Sequence, residues 1–462
     1  MSANPPPLEL TRQIGKAERL NERRLEMGMF ETAMLTRRGP PAMAIPFLVF
    51  GAFFAGYQLL RIGDINFTIA DLMFALAFAI CLARGQLTAI PFGQITPLWY
   101  FGLAMMLGGL FIGTVFHGDM LRWIIIACQY LTGFLLLPML LMAQPLSVAR
   151  RMTAAFIAGI VAMEIFGIAI SLTMTHHEAA AIFSDEFVAG NGRLSSFAAE
   201  PNWNGAIIAF TAPLLIYAYV TRLIPAWLVA IMVPILGWAL MLSASFTGFA
   251  ATMVALSITL LFLGLRYLGG MLVIAALAAA LFFASGAPVP AVFEKRVGNA
   301  ISDGDLAEAG TYKGRVKLIR QAWHTADDTL IVGLGADQFR TTNEIRQPVH
   351  NLYLLMLTEG GLLSLTGLLT LVFLLLWAPL SRLGQTRMEA GVTLAVVAVF
   401  IIYSQSSPHM FSRLIIVPVL LSLMILYGSM PRLPQRSYAG QPVHPLRRPR
   451  AEIANGHPAA MR

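Results

Sequence analysis

The sequence predicts an all-α polytopic membrane protein, and three observations carry that reading. Of 462 residues, 57% are apolar and only 12% charged, with a mean hydropathy of +0.70; a soluble domain carries roughly twice that charged fraction. Apolar stretches of about 20 residues, the length that crosses a bilayer core, recur along the chain. Basic residues gather in alternate connections between those stretches, as positive charge does on the cytoplasmic side. Lipid is therefore the main solvent, and helices satisfy their own backbone in it.

Taken in order, the apolar runs predict about twelve transmembrane helices. They lie near residues 42–60, 65–83, 97–115, 121–142, 152–174, 204–221, 224–243, 246–265, 267–285, 351–379, 389–404 and 413–430. The segment before them, residues 1–41, is polar and basic, too long a prelude for a cleaved signal peptide. It is expected to stay in the cytoplasm, with residues 8–30 either an interfacial helix on anionic lipid or a solvated helix that sets topology. The tail 431–462, rich in Pro, Arg and Gly, is expected to be disordered and cytoplasmic. Only Ala244 and Ser245 separate two of the runs, so that stretch either bends or crosses twice.

Charge favours crossing twice. With an inner N-terminus, seven Lys and Arg fall in the N-tail and six in the C-tail. Arg84, Arg150, Arg151, Arg222, Arg266, Arg382 and Arg387 occupy the short inner turns. Short outer turns hold only Arg61, Arg122 and Arg413. Two outer loops are long, about 175–203 and 286–350, and such loops on a tightly connected bundle usually carry function. Cys81 and Cys128 sit inside apolar runs, which offers neither a disulfide framework nor a thiolate metal site.

The candidate chemistry lies in those loops. Arg193 follows Gly190-Asn191-Gly192, shortly before a helix start at Glu200-Pro201-Asn202. A guanidinium fork matches phosphate, and the plain alternative is a charge reaching for lipid headgroups. In the second loop Val316, Ile319, Trp323 and Ala326 recur at helical spacing and predict an amphipathic helix. Lys313, Lys317, Arg320 and His324 share its polar stripe, while Arg315 is aimed toward the apolar face, where it needs an anionic partner. His350 precedes Asn351-Leu352-Tyr353 at the start of a long apolar helix. The positive helix end favours the neutral imidazole, which can take a proton from a hydroxyl; the plain alternative is a capping histidine. Glu164 and Glu359 lie within spans as intramembrane acids, either functional or bonded to a neighbouring helix. Asp303, Asp305, Asp327 and Asp328 read as solvated loop charges, and no metal site is expected.

Together these residues resemble the O-antigen ligase family, which also includes polysaccharide repeat-unit polymerases. The resemblance rests on Arg193 with Pro201-Asn202, on Gly314-Arg315 through Trp323 and Gly333-Leu334-Gly335, and on His350-Asn351-Leu352-Tyr353 through Glu359-Gly360-Gly361-Leu362. It covers roughly residues 190–375. One departure is Ser243-Ala244-Ser245-Phe246, where many members have a Ser-Arg pair.

The resemblance implies transfer of an undecaprenyl-diphosphate-linked glycan to an acceptor hydroxyl at the outer face of the bacterial inner membrane, without a cofactor. It assigns Arg193, Arg315 and His350 to the reaction. Lys313, Lys317, Arg320, Asn202, Asn351 and Tyr353 would then contact substrate. Ligase and polymerase both fit. The expected partners are the lipid-linked glycan, its acceptor, membrane lipid and other polysaccharide-assembly proteins, with no nucleic acid. The alternative from another class is a polysaccharide or lipid-linked glycan flippase, which would show charges along a midplane path and broken helices in paired positions.

Overall fold

The computed structural model describes residues 40–62, 66–284, 286, 289–294 and 312–430. The expected tail helix at 8–30, the C-tail and the loop acids Asp303 and Asp305 lie outside the described residues. The described chain is almost wholly helical: α1 Ala44–Phe53, α2 Ile69–Ala83, α3 Thr96–His117, α4 Met120–Leu141, α5 Leu146–Thr173, α6 His176–Ile182, α7 Pro201–Val220 and α8 Ala226–Ser243. There follow α9 Phe246–Phe262, α10 Leu265–Ala284, α11 Tyr312–Asp328, α12 Gln338–Thr342, α13 Leu352–Leu380, α14 Arg387–Ser404 and α15 Arg413–Gly428. A two-residue hairpin, β1 Arg61–Ile62 against β2 Phe67–Thr68, links α1 to α2. Among the described residues seven helices are long and apolar enough to cross a membrane, namely α3, α4, α5, α7, α8, α13 and α14. Four more apolar helices of 10–17 residues accompany them: α1, α2, α9 and α15.

Helix starts follow local chemistry. Thr68 and Asp71 form a reciprocal capping box on α2, Pro201 opens α7, and the side chains of Ser245 and Asn351 accept the third backbone N–H of α9 and α13. The chain does reverse at Ala244, which takes a left-handed φ of +43°. A five-residue turn folds α8 back along α7, and α9 then starts beside the start of α7, where Gly248 packs against Gly205. The run at 224–265 is thus two antiparallel helices.

Contacts between helix ends gather both long loops at one end of the bundle, called the loop face below. Ser412 at the start of α15 donates to Gln58 after α1 at 2.8 Å, and Arg413 is ion-paired with Asp71 at the start of α2. Ser404 at the end of α14 donates to Tyr353 at the start of α13 at 2.9 Å. All three arginines expected in short outer turns meet an acid there: Arg61 with Glu186, Arg122 with Asp337, and Arg413 with Asp71.

Two expectations are corrected. The helix near 351–379 is broken: Gly361 has φ +66°, ψ −169°, a conformation open to glycine. The break frees the carbonyl of Thr358 and the N–H of Leu362, and the loop segment 330–335 takes their place. Leu334 N–H donates to Thr358 O at 2.9 Å, Gly335 N–H to Glu359 O at 2.9 Å, and Leu362 N–H to Leu330 O at 2.8 Å. Gly333-Leu334-Gly335 is therefore a plug seated in α13, which needs small residues because a Cβ on Gly333 would lie 2.2 Å from the Glu359 backbone. The second correction concerns α11. Its buried line is Leu318, Ala322 and Ala326, with Ile319 beside it, and Trp323 is 57% exposed. Trp323 falls one residue off that line, and indole tolerates a wet position.

Candidate functional site

The first long loop folds back over the α8–α9 turn. Gly192, at φ +77°, closes a tight turn in which Gly192 N–H donates to Ala189 O at 2.8 Å and Ala189 N–H to Arg193 O at 2.9 Å. Leu194 N–H donates to Leu242 O at 3.0 Å, so the loop is stitched onto the end of α8. Arg193 is thereby drawn inward and is only 6% exposed. Its Nε donates to the Ser243 carbonyl at 2.7 Å and its Nη2 to Asn202 Oδ1 at 2.9 Å. Asn202 also accepts from Ser245 at 3.2 Å and passes its own Nδ2 to Glu200 Oε1 at 3.0 Å. Arg193, Asn202 and Glu200 form a relay across the start of α7. A guanidinium held this way is a preset charge that needs little reorganisation.

The second loop delivers Arg315 and His350 to the same place. The 330–335 plug and α12 anchor the segment between α11 and α13. Glu359 takes part by accepting from the backbone N–H of Asp337 at 2.8 Å and of Phe339 at 3.3 Å. Asp337 is clamped between Arg122 and Arg340. Burial pushes its carboxyl up, but the Arg340 and Arg122 hydrogen bonds and charges outweigh that and hold it below the usual range. Asn351 caps α13 and donates to Gln405 at 3.0 Å, so the chain at His350 is tied to the end of α14.

His350 is half-buried. Burial lowers its proton affinity first, the Arg315 charge lowers it further, and Glu200 opposes both. The shift runs in the expected direction, toward the neutral imidazole, with desolvation the first cause and the Arg315 charge the second. The Tyr403 hydroxyl, near the end of α14, feels the charges of Glu200, Arg193 and Arg315 together. Two guanidiniums, one imidazole, a carboxylate and a phenol thus converge at the loop face. Arg315 enters none of the ion pairs of the described residues, so no described carboxylate lies within 4.0 Å of its charge.

Beside this cluster a cavity of about 400 Å³ opens between the α1–α2 connection, the first long loop and the turn before α15. Glu200 and Trp203 belong to its wall. Glu200 therefore faces both the cavity and the charged cluster.

The other sequence candidates divide. Lys317 pairs with Glu344 at 2.7 Å on the exposed side of α11, and Arg320 and His324 are exposed. The Lys313 side chain lies outside the described residues. Asn202, Asn351 and Tyr353 all hold the site together by hydrogen bonds. Glu359 accepts from backbone N–H groups at the start of α12, and Glu164 accepts from Asn204 at 3.4 Å, so both intramembrane acids bond to neighbours. Glu200 and Tyr403 join the charged cluster without having been singled out in the sequence. Glu200 was read only as part of a helix start, and a lone tyrosine in an apolar helix carries no signal of its own.

Residues 228–369 match the O-antigen ligase family. A search of the curated proteins found no match. The matched stretch runs from α8 to the first half of α13, so it contains Arg315, His350, the plug and the Gly361 break, while Arg193 and Glu200 precede it.

Proposed function

We propose that this chain, an all-α membrane protein similar over residues 228–369 to O-antigen ligases, transfers a glycan from undecaprenyl diphosphate to an acceptor hydroxyl at the non-cytoplasmic face of the bacterial inner membrane. The observation that carries the reading is the convergence of Arg193, Arg315 and a neutral-leaning His350 at the loop face. His350 takes the proton of the acceptor hydroxyl, and the freed oxygen pair attacks the anomeric carbon. The bond from that carbon to the diphosphate oxygen breaks, and its electron pair leaves on the diphosphate. Arg193 and Arg315 hold the growing negative charge, the task a metal performs elsewhere. One displacement at the anomeric carbon inverts its configuration.

A flippase reading has less support. Glu164 and Glu359 are each bonded to a neighbour rather than lining a path, while the charged cluster sits at one end.

The test is Arg193→Ala, Arg315→Ala and His350→Ala, each scored for surface glycan and for protein in the membrane. We expect loss of polymer, by roughly a hundredfold or more for His350→Ala, with protein retained. Normal glycan from all three variants would overturn the proposal. A deletion strain decides the subclass. Single capped repeats with long chains lost mark a polymerase, and complete polymer left on its carrier marks a ligase.

A further inference from the structure

The cavity beside the charged cluster is not used by the three proposed reacting side chains, yet its wall is specific. Six of its residues give the chemistry: Arg61, Asn66, Glu186, Glu200, Trp203 and Phe411. Trp203 and Phe411 supply aromatic surface against which the C–H side of a pyranose can pack. The amide and carboxylate groups offer hydrogen bonds to its hydroxyls. The volume, about 400 Å³, falls in the range of small-molecule sites and holds one or two sugar rings.

Charge narrows the ligand. Arg61 lies 3.2 Å from Glu186, so that pair cancels. Glu200 is the remaining carboxylate of the wall, and an anionic ring set directly against it is repelled. Position narrows its role. Glu200 is joined through Asn202 to Arg193, and its charge reaches His350. A sugar held at Glu200 lies beside the cluster that contains His350, the position an acceptor hydroxyl needs.

We propose that this cavity is a saccharide subsite for the acceptor, selective for uncharged, hydroxyl-rich rings over uronic acids. The role as acceptor subsite rests on the glycan-transfer reading above; the binding of sugar does not.

The experiment uses the full chain in nanodiscs. The probe is the oligosaccharide released by mild acid from the host's own surface polysaccharide, followed by saturation-transfer NMR. Its carboxyl-free and uronic-acid-containing fractions are compared. We expect the neutral fraction to bind wild type and the transfer-deficient His350→Ala alike. Binding should weaken roughly tenfold in Trp203→Ala and in Phe411→Leu, as loss of a central aromatic contact does. In a transfer assay those two variants should raise the KM for acceptor and leave the KM for donor unchanged. Unchanged binding in both folded variants overturns the subsite, and equal binding of the uronic fraction overturns its selectivity. A raised donor KM instead would make the cavity a donor site and overturn the acceptor role. If the His350 and arginine variants kept making polymer, the transfer chemistry would fall while the binding result stood on its own.

Discussion

At the scale of single residues, the proposed site rests on one imidazole whose surroundings favour its neutral form. Burial and the Arg315 charge both lower the proton affinity of His350, and Glu200 raises it. A base of this kind works when unprotonated, so transfer should be flat at neutral pH and fall on acidification. The midpoint should lie below about 6.5, the ordinary histidine value. Glu200→Gln removes the one nearby charge that favours imidazolium, so its acid limb should move to still lower pH. The check is the pH profile of glycan transfer in membrane vesicles for both proteins. An acid midpoint above the ordinary value, or a Glu200→Gln limb moved upward, would mean that another group titrates. The sequence announced His350 through its place before a long apolar helix. It said nothing of Glu200, because the reach of a carboxylate to a histidine 150 positions away is a property of the fold.

At the scale of elements, the decisive device is the plug in α13. Helix α3 and helix α13 approach through small residues, Gly102, Gly109 and Gly113 facing Gly360, Ser364 and Gly367, as backbones do where lipid gives no hydrophobic drive. A Cβ on Gly109 would lie 2.5 Å from Gly360 O, and one on Gly367 would lie 2.3 Å from Met106 N. At Gly108, one position along, a Cβ meets nothing within 4 Å. Gly109→Ala and Gly367→Ala should each cost about 1–3 kcal/mol by overpacking, while Gly108→Ala should be neutral or slightly stabilising. Gly361→Ala should also destabilise, since its φ of +66° is strained for alanine and its Cβ would sit 2.6 Å from Ile331 O. Thermal unfolding in one detergent measures all four, and a loss at Gly108 equal to that at Gly109 would refute the packing account. Hydropathy made the span legible, because it sums over twenty residues. It could not reveal the break, because glycine is common in transmembrane helices and only the docking loop shows which one is bent.

At the scale of the molecule, the recurring apolar runs made the all-α membrane class legible, and the pairing of distant charges stayed hidden. Arg413 meets Asp71 and Arg122 meets Asp337 across more than two hundred residues of sequence, and no local pattern encodes such partners. These pairs explain how the loop face tolerates arginine. Each of its three short-turn arginines is matched by an acid, whereas Arg84, Arg150, Arg151, Arg222 and Arg382 stand near the opposite helix ends, away from the loop face. Opposite that face, Arg150 donates to the Tyr217 hydroxyl at 3.3 Å and Arg382 lies over the Tyr427 ring at 4.2 Å, neither with a carboxylate among the ion pairs of the described residues. By the positive-inside rule this charge pattern leads us to propose that the opposite face is cytoplasmic and the loop face external. The consequence is testable in a Cys81→Ala, Cys128→Ala background carrying one new cysteine. Asn191→Cys, exposed on the loop face, should react with a membrane-impermeant maleimide in spheroplasts. Gln385→Cys, exposed in the α13–α14 turn, should react only after the membrane is opened. The reverse pattern would put Arg193, Arg315 and His350 in the cytosol, where neither an outward-facing carrier lipid nor an exported acceptor could meet them.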